Sequence, residues 1–554
     1  MGFEGYQYTW LVVIFIVLFF GVRIAVGIWA GSKVKDAADY IVAGRRLPVY
    51  IAGASIMATW FAAETLMGAS GTAYQYGFQG VIFDPFGATC CLFLSGFFFI
   101  RMMRKAKYIT LVDFYERRFG KAMVVLATIS QLATYFVWTG AQIVAGGTII
   151  NALFPSVPVQ AGMIGVITFV TIYTTLGGML ADTLLDFMQM FLNAVGMTLI
   201  FLGMLAAVGG FKGLFSIGSV MYTDRPFSLL PTPGEDGLFQ YLGYGKAMGW
   251  MYWMAAWLAV GLGSVPTQDL MQRSVSARNE ATSVYGSYFA GILYGFFGIM
   301  SPLIGIMYYH LNPNLEDPQA VLILAAMEHL PPIMTAIFIA ALCSALMSTS
   351  DSSLLAGASV VTENLIPVIT GKRLGDKAAL WWTRAMVVTN GVIGIIIALT
   401  FAVIYELGVV AWTLLLVGMF APFAFGMYWK KANQTGAVLS YLGGFIAWAL
   451  LTWFFYYNGI FGTESTVVIC EGDFDCAFWD AVYIASFPAF VISLLLMWIG
   501  SLATQKIDPP KQLTDIDGNP IELKLENTIG WLPIRDALRK LTPEEIQAIE
   551  EGKI

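Results

Sequence analysis

The chain has 554 residues, of which 58% are hydrophobic and 12% are charged, and its formal net charge is −6 at pH 7. Soluble domains carry about 25% charged residues, and the mean hydropathy here is +0.72. The composition therefore excludes an ordinary soluble protein and predicts an all-α polytopic membrane protein that lies in a lipid bilayer.

Thirteen apolar runs are long enough to cross a membrane as helices, which takes about 20 residues each. Numbered span 0 to span 12 in chain order, they are residues 9–30, 48–73, 79–103, 122–153, 158–177, 183–209, 243–264, 282–309, 332–366, 379–400, 403–429, 434–457 and 479–503. We therefore expect one transmembrane domain over residues 1–503, followed by a polar tail over residues 504–554.

The loop charges predict the orientation of the spans. With the N-terminus outside, the inner loops hold nineteen lysines and arginines and the outer segments hold three. This distribution follows the positive-inside rule. It predicts a multi-pass protein of the cell (inner) membrane with a cytoplasmic tail.

Spans 1 and 6 have the composition of interrupted helices. Span 1 carries Gly68 and Gly71 after the stretch "MATWFAAE", and span 6 ends in "AVGLGSVP" with Gly263 and Pro266. Interrupted spans at matching positions of two halves indicate inverted repeats with a site near the bilayer midplane. Glycine is also a common packing residue between membrane helices, so this pattern alone leaves both interpretations open.

Span 8 combines hydroxyl groups with a carboxylate. Ala345, Ser348, Thr349 and Ser352 share one helix face, and Asp351 lies beside them. A sodium ion is a small, hard cation that takes oxygen ligands, as calcium and magnesium do. The alternative is that the hydroxyls bond to their own helix or link neighbouring helices. An ionisable group in a span costs at least ~2.5–3.5 kcal/mol on insertion, and the cluster therefore favours an ion site.

Four tryptophans and one glutamate suggest a site for a cation. Trp60, Trp138 and Trp253 lie near the centres of spans 1, 3 and 6, Trp412 lies in span 10, and Glu64 follows Trp60 by four residues. Converging aromatic faces attract an ammonium group by about 2 kcal/mol or more when desolvated. Ordinary core packing is the alternative for the tryptophans. For Glu64 the alternative is a structural salt bridge or hydrogen bond to a neighbouring helix.

The remaining polar features suggest no enzyme. The sequence contains no P-loop, no Cys/His metal cluster, no nucleophile elbow and no basic patch for nucleic acid. We expect no cofactor and no metal other than sodium. Cys470 and Cys476, in an outer loop, would form a disulfide in an oxidising compartment and would otherwise be free thiols. The chain end, with Thr542 and Glu545 at capping-box spacing, predicts a short amphipathic helix.

Four motifs resemble the sodium:solute symporter family over nearly all of residues 9–457. They are "AGRRL", "TTLGGMLADTLLDFMQ", "PTQDLMQRSVSARNE" and "APFAFGMYWKKANQTGA", in that order. The resemblance implies a LeuT-like inverted-repeat fold and cation-coupled uptake by alternating access.

The same resemblance implies a sodium site between spans 1 and 8. Its ligands would be the carbonyls of Ala58 and Phe61, the carbonyl of Ala345, and the hydroxyls of Ser348 and Thr349. Some family members have a second sodium site. Its positions here would be Ser348 with Asp186, Asp351 and Ser352, and Asp351 stands where a serine is usual.

Within the family, "ATWF" and "STSDSSLL" resemble the high-affinity choline transporter branch most. Trp60, Trp138 and Trp253, with Trp412 as a fourth, stand where that branch places its choline-cage aromatics. Glu64 departs from the branch, which has glycine there. The resemblance implies a sodium-coupled symporter for an ammonium-bearing cation or zwitterion. The alternatives are a symporter for a neutral or anionic solute (a sugar, carboxylate or amino acid) and a transporter-like sensor.

Overall fold

The structure is a computed structural model that describes residues 6–31, 45–177, 179–220, 227–233 and 239–539. The amphipathic helix expected around Thr542 and Glu545 lies outside these residues.

The described part of the chain is mostly helical. The α-helices before the long loop that precedes α11 (Lys246–Gly261) are α1 (Thr9–Gly31), α2 (Val49–Trp60), α3 (Ala69–Gly80), α4 (Ala88–Leu94), α5 (Ile100–Ala106), α6 (Leu111–Phe119), α7 (Lys121–Leu153), α8 (Val159–Gly177), α9 (Met179–Ala207) and α10 (Gly210–Val220). Those after it are α11 (Lys246–Gly261), α12 (Gln268–Val275), α13 (Glu280–Gly298), α14 (Met300–Leu311), α15 (Val321–His329), α16 (Pro332–Val360), α17 (Ile366–Thr370), α18 (Asp376–Phe401), α19 (Tyr405–Leu415), α20 (Ala421–Tyr428), α21 (Gln434–Asn458), α22 (Thr466–Ile469), α23 (Phe474–Ala503), α24 (Leu525–Thr528) and α25 (Ile534–Leu538).

Short irregular segments connect these helices. π-helical turns cover Glu64–Gly68, Ile82–Gly87, Ser95–Phe99, Val361–Leu365 and Leu416–Phe420, and a 3₁₀ turn covers Pro318–Ala320. The long loop before α11 contains the strands β1 (Thr232–Pro233), β2 (Phe239–Tyr241) and β3 (Tyr244–Gly245). They form one antiparallel sheet, in which Thr232 pairs with Gln240 and Gln240 pairs with Gly245.

The predicted all-α membrane architecture is confirmed, but the count of thirteen spans is not. In the described part of the chain, ten helices are long and apolar enough to cross a membrane. The bent pair α2 and α3 adds an eleventh if it forms one span. The two remaining predicted spans are also helical, as α8 and as α11, which has only 16 residues.

Both predicted helix breaks are present. The axis of Val49–Trp60 and that of the helix resuming at Glu64 differ by 59°. At the second break, α11 ends at Gly261 and α12 begins at Gln268. A Cβ atom on Gly263 would lie 2.3 Å from the carbonyl oxygen of Trp412, so only glycine lets these backbones approach so closely.

Helix α16 lies at the centre of the bundle. Every residue from Ser344 to Val360 is buried, and the helix packs against α1, α2, α7, α9 and α18. A helix buried on all sides cannot turn its polar groups to solvent. Buried polar side chains of α16 therefore bond to neighbouring helices, as Thr349 and Asp351 do, or back to their own helix, as Ser350 does.

Two features lie at opposite ends of the bundle. Cys470 and Cys476 form a disulfide, with their Cα atoms 5.8 Å apart. After α23, the tail packs against the loops at the other end. There Arg117 Nη2 donates to the carbonyl of Ile516 at 3.0 Å, and the backbone N–H of Gly530 donates to the carbonyl of Phe97 at 2.7 Å.

Candidate functional site

The break after α2 releases backbone groups from the helical pattern. The N–H of Ala62 would bond to the carbonyl of Ala58 in a continuous α-helix, but it donates instead to the carbonyl of Trp60 at 2.9 Å. Phe61, the residue at the turn, has φ −78° and ψ 69° and is fully buried. The C-terminal end of a helix carries a partial negative charge of about half an elementary charge. The end of α2 is therefore a favourable environment for a cation.

Helix α16 meets this break through a hydroxyl group. Thr349 Oγ1 donates a hydrogen bond of 2.7 Å to the carbonyl of Thr59 in the last turn of α2. Ala345, Ser348 and Thr349 are completely buried on the face of α16 predicted from the sequence. The proposed sodium ligands are thus brought to the junction of the broken helix with α16. Their donor set of carbonyl and hydroxyl oxygens is the one that a hard cation prefers.

Asp186 connects this junction to α9. Its Oδ1 accepts a hydrogen bond from Ser348 Oγ, and its Oδ2 accepts one of 2.5 Å from Ser55 Oγ of α2. Asp186 is completely buried. One carboxylate therefore ties together three of the helices that surround the candidate ion site.

A guanidinium group lies among the residues assigned to a second sodium ion. Arg273 Nη2 is 3.5 Å from Asp186 Oδ2 and also donates to Ser352 Oγ, while its Nε donates to Ser55 Oγ at 3.1 Å. Asp186, Ser348 and Ser352, which the family resemblance assigns to a second sodium ion, thus share one hydrogen-bond network. A positive charge from the protein already lies beside them.

Asp351 contacts α1 and α8. Its Oδ2 forms a salt bridge of 2.6 Å with Arg23 of α1, and its Oδ1 accepts a hydrogen bond of 2.6 Å from Thr174 of α8. Both charged side chains are buried. Removing either partner would leave an uncompensated charge in the bundle, so Asp351 attaches α16 to α1.

Glu64 is held by two neutral donors of α7. Trp138 Nε1 donates to Oε1 at 2.6 Å, and Gln142 Nε2 donates to Oε2 at 2.9 Å. Gln142 also accepts the N–H of Ala63 at 3.0 Å, which keeps its amide in this orientation. On the opposite side, a Cβ atom on Gly408 would lie 2.6 Å from Glu64 Cβ. Glycine at this position of α19 makes room for the carboxylate.

Three of the four predicted tryptophans form one cluster next to Glu64. Trp412 stacks on Trp60 at a centroid distance of 5.9 Å and meets Trp138 edge to face at 4.7 Å. Trp60 Nε1 donates to Asp269 Oδ2 at 2.7 Å. Trp412, which the sequence singled out least, is the residue that joins the other two.

Trp253 does not join this cluster. Its indole donates to the carbonyl of Leu229 at 3.0 Å and meets the ring of Trp250 edge to face at 5.7 Å. It is only partly buried and lies against the long loop before α11. The structure therefore separates Trp253 from the site that the sequence assigned to it.

Asp84 is a site residue that the sequence analysis missed. It is buried in the π-helical turn at the start of span 2, where Oδ2 accepts from Thr65 Oγ1 and Oδ1 accepts from the hydroxyl of Tyr294, both at 2.6 Å. A lone aspartate before a proline in an apolar run was the available signal. Among the described residues, neither Glu64 nor Asp84 forms a salt bridge.

Comparisons with known proteins agree with this geometry. The family model "Sodium:solute symporter family" matches residues 40–444. The human high affinity choline transporter 1 is 25% identical over 449 residues, which cover 77% of this chain and 74% of that protein. The sodium/glucose cotransporter of Vibrio parahaemolyticus is 24% identical over 453 residues, which cover 76% and 81%.

The fold also matches a solved structure. A Na⁺-coupled sialic acid symporter in its substrate-bound, outward-open state superposes with a TM-score of 0.69 at 20% identity, over 91% of this chain and 99% of that one. The LeuT-like inverted-repeat fold is thereby confirmed. Since the family model spans most of the chain and the broken first span meets the hydroxyl face of α16, the protein belongs to the sodium:solute symporter family.

Proposed function

We propose that this protein uses a sodium gradient to import a small organic cation or zwitterion that bears an ammonium group. The observation that carries the proposal is the environment of Glu64. This carboxylate is 3% exposed and next to an indole cluster, and no basic side chain in the described part of the chain pairs with it. A buried charge without a counter-charge is costly. A bound ammonium group would supply the counter-charge and contact the indole faces at the same time.

The high affinity choline transporter among the relatives supports a choline-like substrate. Choline itself has no N–H donor. Glu64 is a hydrogen-bond acceptor, and the choline branch has glycine at this position. We therefore include primary and secondary amines in the proposed substrate class. The glucose cotransporter among the relatives keeps a neutral solute as the alternative.

We place the coupling sodium ion at the junction of α2 and α16. The ligands would be the carbonyls of Ala58, Phe61 and Ala345 with the hydroxyls of Ser348 and Thr349. The hydroxyl of Thr349 now donates to α2, so a small rotation would direct its oxygen to the ion. Sodium would hold the two halves of span 1 against α16 and so favour the conformation that binds substrate. The membrane potential would add about 2.3 kcal/mol per charge moved per 100 mV.

We further propose that Arg273 takes the place of a second sodium ion. Its guanidinium already neutralises Asp186 and bonds to Ser352, two of the residues assigned to that ion. Asp351, the third, is neutralised by Arg23. A second cation would have to displace a buried arginine, so we expect one sodium ion per transport cycle.

Uptake into proteoliposomes tests the proposed function. Purified protein would be reconstituted with an outward-to-inward sodium gradient, with potassium in place of sodium as the control. Labelled choline would be the tracer, and unlabelled primary amines, betaine, proline and glucose would be competitors. We expect sodium-dependent choline uptake that amines compete for and glucose does not. Strong sodium-dependent glucose uptake with no amine competition would contradict the proposal.

A further inference from the structure

A basic cavity lies at the end of the bundle opposite the disulfide, between the helical domain and the tail. Its volume is about 530 Å³. Ten residues line it, from the end of α5, the start of α13 and the last part of the tail: Arg104, Lys105, Lys107, Arg278, Asn279, Glu280, Ala281, Leu532, Asp536 and Arg539. Five of these are basic and two are acidic.

The two acidic groups do not balance this charge, because each has a basic neighbour of its own. Glu280 pairs with Arg101 at 3.0 Å, and Asp536 lies 3.7 Å from Arg535. Neither Arg101 nor Arg535 is among the residues that line the cavity. In the described part of the chain, Arg104, Lys105 and Arg278 bond only to neutral groups, so their positive charges remain in the lining.

Among the basic residues of the lining, Arg104 carries a buried charge. Its side chain is buried at 4% exposure, and its partners are neutral carbonyls: Nε donates to Ala277 at 2.7 Å and Nη2 to Arg278 at 3.1 Å. Arg104 forms no salt bridge within the described ranges, and neither does Lys105, whose Nζ donates to Asn527 Oδ1 at 2.6 Å. A buried guanidinium without an anion is unfavourable.

The tail forms one wall of the cavity. Side chains near the start of α13 hold it there by donating hydrogen bonds to its backbone carbonyls. Arg278 Nη2 donates to the carbonyl of Ala537 at 2.5 Å, Asn279 Nδ2 to that of Asp536 at 3.2 Å, and the hydroxyl of Tyr285 to that of Leu532 at 2.8 Å. These bonds place the short helix α25 over the start of α13. A ligand in the cavity would touch α5, α13 and the tail together.

We propose that this cavity binds a phosphate-bearing anion, which neutralises Arg104 and fastens the tail to the helical domain. Arginine and phosphate form strong, charge-assisted and often bidentate hydrogen bonds, and lysine adds point charges. The cavity lies among the basic loops, where a membrane presents lipid headgroups. The anion would therefore be the headgroup of an acidic phospholipid or a soluble phosphate compound. This inference does not depend on the transported substrate.

Thermal unfolding of the purified full-length protein tests the proposal. The probes are short-chain phosphatidic acid, short-chain phosphatidylcholine and inorganic pyrophosphate, at constant ionic strength. A ligand that binds only the folded state raises the melting temperature with its concentration. We expect a saturable rise with phosphatidic acid but not with phosphatidylcholine. A rise with pyrophosphate as well would identify a soluble phosphate as a ligand, and its absence would identify the lipid.

Two double variants locate the site. Lys105→Gln with Lys107→Gln removes two charges from the cavity, and we expect the apparent Kd for the anion to rise about tenfold or more. Lys430→Gln with Lys431→Gln removes two exposed charges that do not line the cavity, and it should leave the Kd unchanged. If the first double variant does not fold, Lys107→Gln alone takes its place. No stabilisation of the wild type by any anion, or equal loss in both variants, would overturn the proposal.

Discussion

The indole Nε1 of Trp138 donates a 2.6 Å hydrogen bond to Oε1 of Glu64, a residue 74 positions away in the chain. The bond holds a carboxylate beside the tryptophan cluster without neutralising it. This contact joins an aromatic residue of span 3 to the acidic residue of span 1 in one site. In the part of the chain that the structure describes, the side-chain partners of this carboxylate are the neutral donors Trp138 and Gln142.

Glu64→Gln tests whether this charge recognises the substrate. The substitution keeps the size and a carbonyl acceptor for Trp138 but removes the charge. We expect the KM for a cationic amine to rise about tenfold or more, which corresponds to about 1.4 kcal/mol. Inhibition constants for cationic amines and for uncharged solutes would be measured in proteoliposomes. An equal loss for charged and uncharged competitors would mean that Glu64 only supports the fold.

Trp412 and Trp253 form a matched pair for testing the aromatic cluster. Trp412→Leu removes the ring that joins Trp60 to Trp138. With about 2 kcal/mol from a desolvated cation–π contact, substrate affinity should fall roughly thirtyfold. Trp253→Leu changes a ring that lies outside the cluster, and affinity should change less than threefold. Binding would be followed by competition with labelled choline. A larger loss of substrate affinity in Trp253→Leu than in Trp412→Leu would mean that Trp253 belongs to the substrate site.

Thr349→Ala tests the sodium site. The variant loses one proposed ligand oxygen, and the sodium concentration for half-maximal uptake should rise about fivefold or more. Ser350→Ala is the matched control, because the hydroxyl of Ser350 bonds back to the carbonyl of Leu346 in its own helix at 2.7 Å. The control should keep the wild-type sodium dependence. Identical sodium curves for Thr349→Ala and the wild type would refute the placement.

Arg273 tests the ion count and the buried charge network. Arg273→Gln removes the guanidinium beside Asp186, and breaking a buried ion pair costs about 3–5 kcal/mol. We expect a lower melting temperature, with partial recovery in the double variant Arg273→Gln, Asp186→Asn. The unmodified protein should show a Hill coefficient near one for sodium. A coefficient near two, or a stable single variant, would favour a second ion over the arginine.

The sequence by itself determined the class of protein and the approximate positions of the helices, and it indicated where two of them could be interrupted. These properties depend on local composition: apolar runs form helices in a membrane, and Pro266 lacks the N–H that a helix interior needs. It also identified the face of α16, because helical spacing brings Ala345, Ser348 and Thr349 to one side. The family motifs then indicated which other helix that face would meet.

Only the tertiary structure decided how the buried charges are paired and which aromatic residues meet. Asp351 pairs with Arg23 at a separation of 328 residues, and Asp186 lies beside Arg273 at a separation of 87. Asp351 and Ser352 are therefore adjacent in α16 but belong to different networks. Asp351 pairs with Arg23, whereas Ser352 accepts a hydrogen bond from Arg273. The inclusion of Trp412 and Asp84, and the exclusion of Trp253, likewise follow from how distant helices cross. Spacing along one helix cannot determine such contacts, because they depend on the packing of side chains from several helices at once.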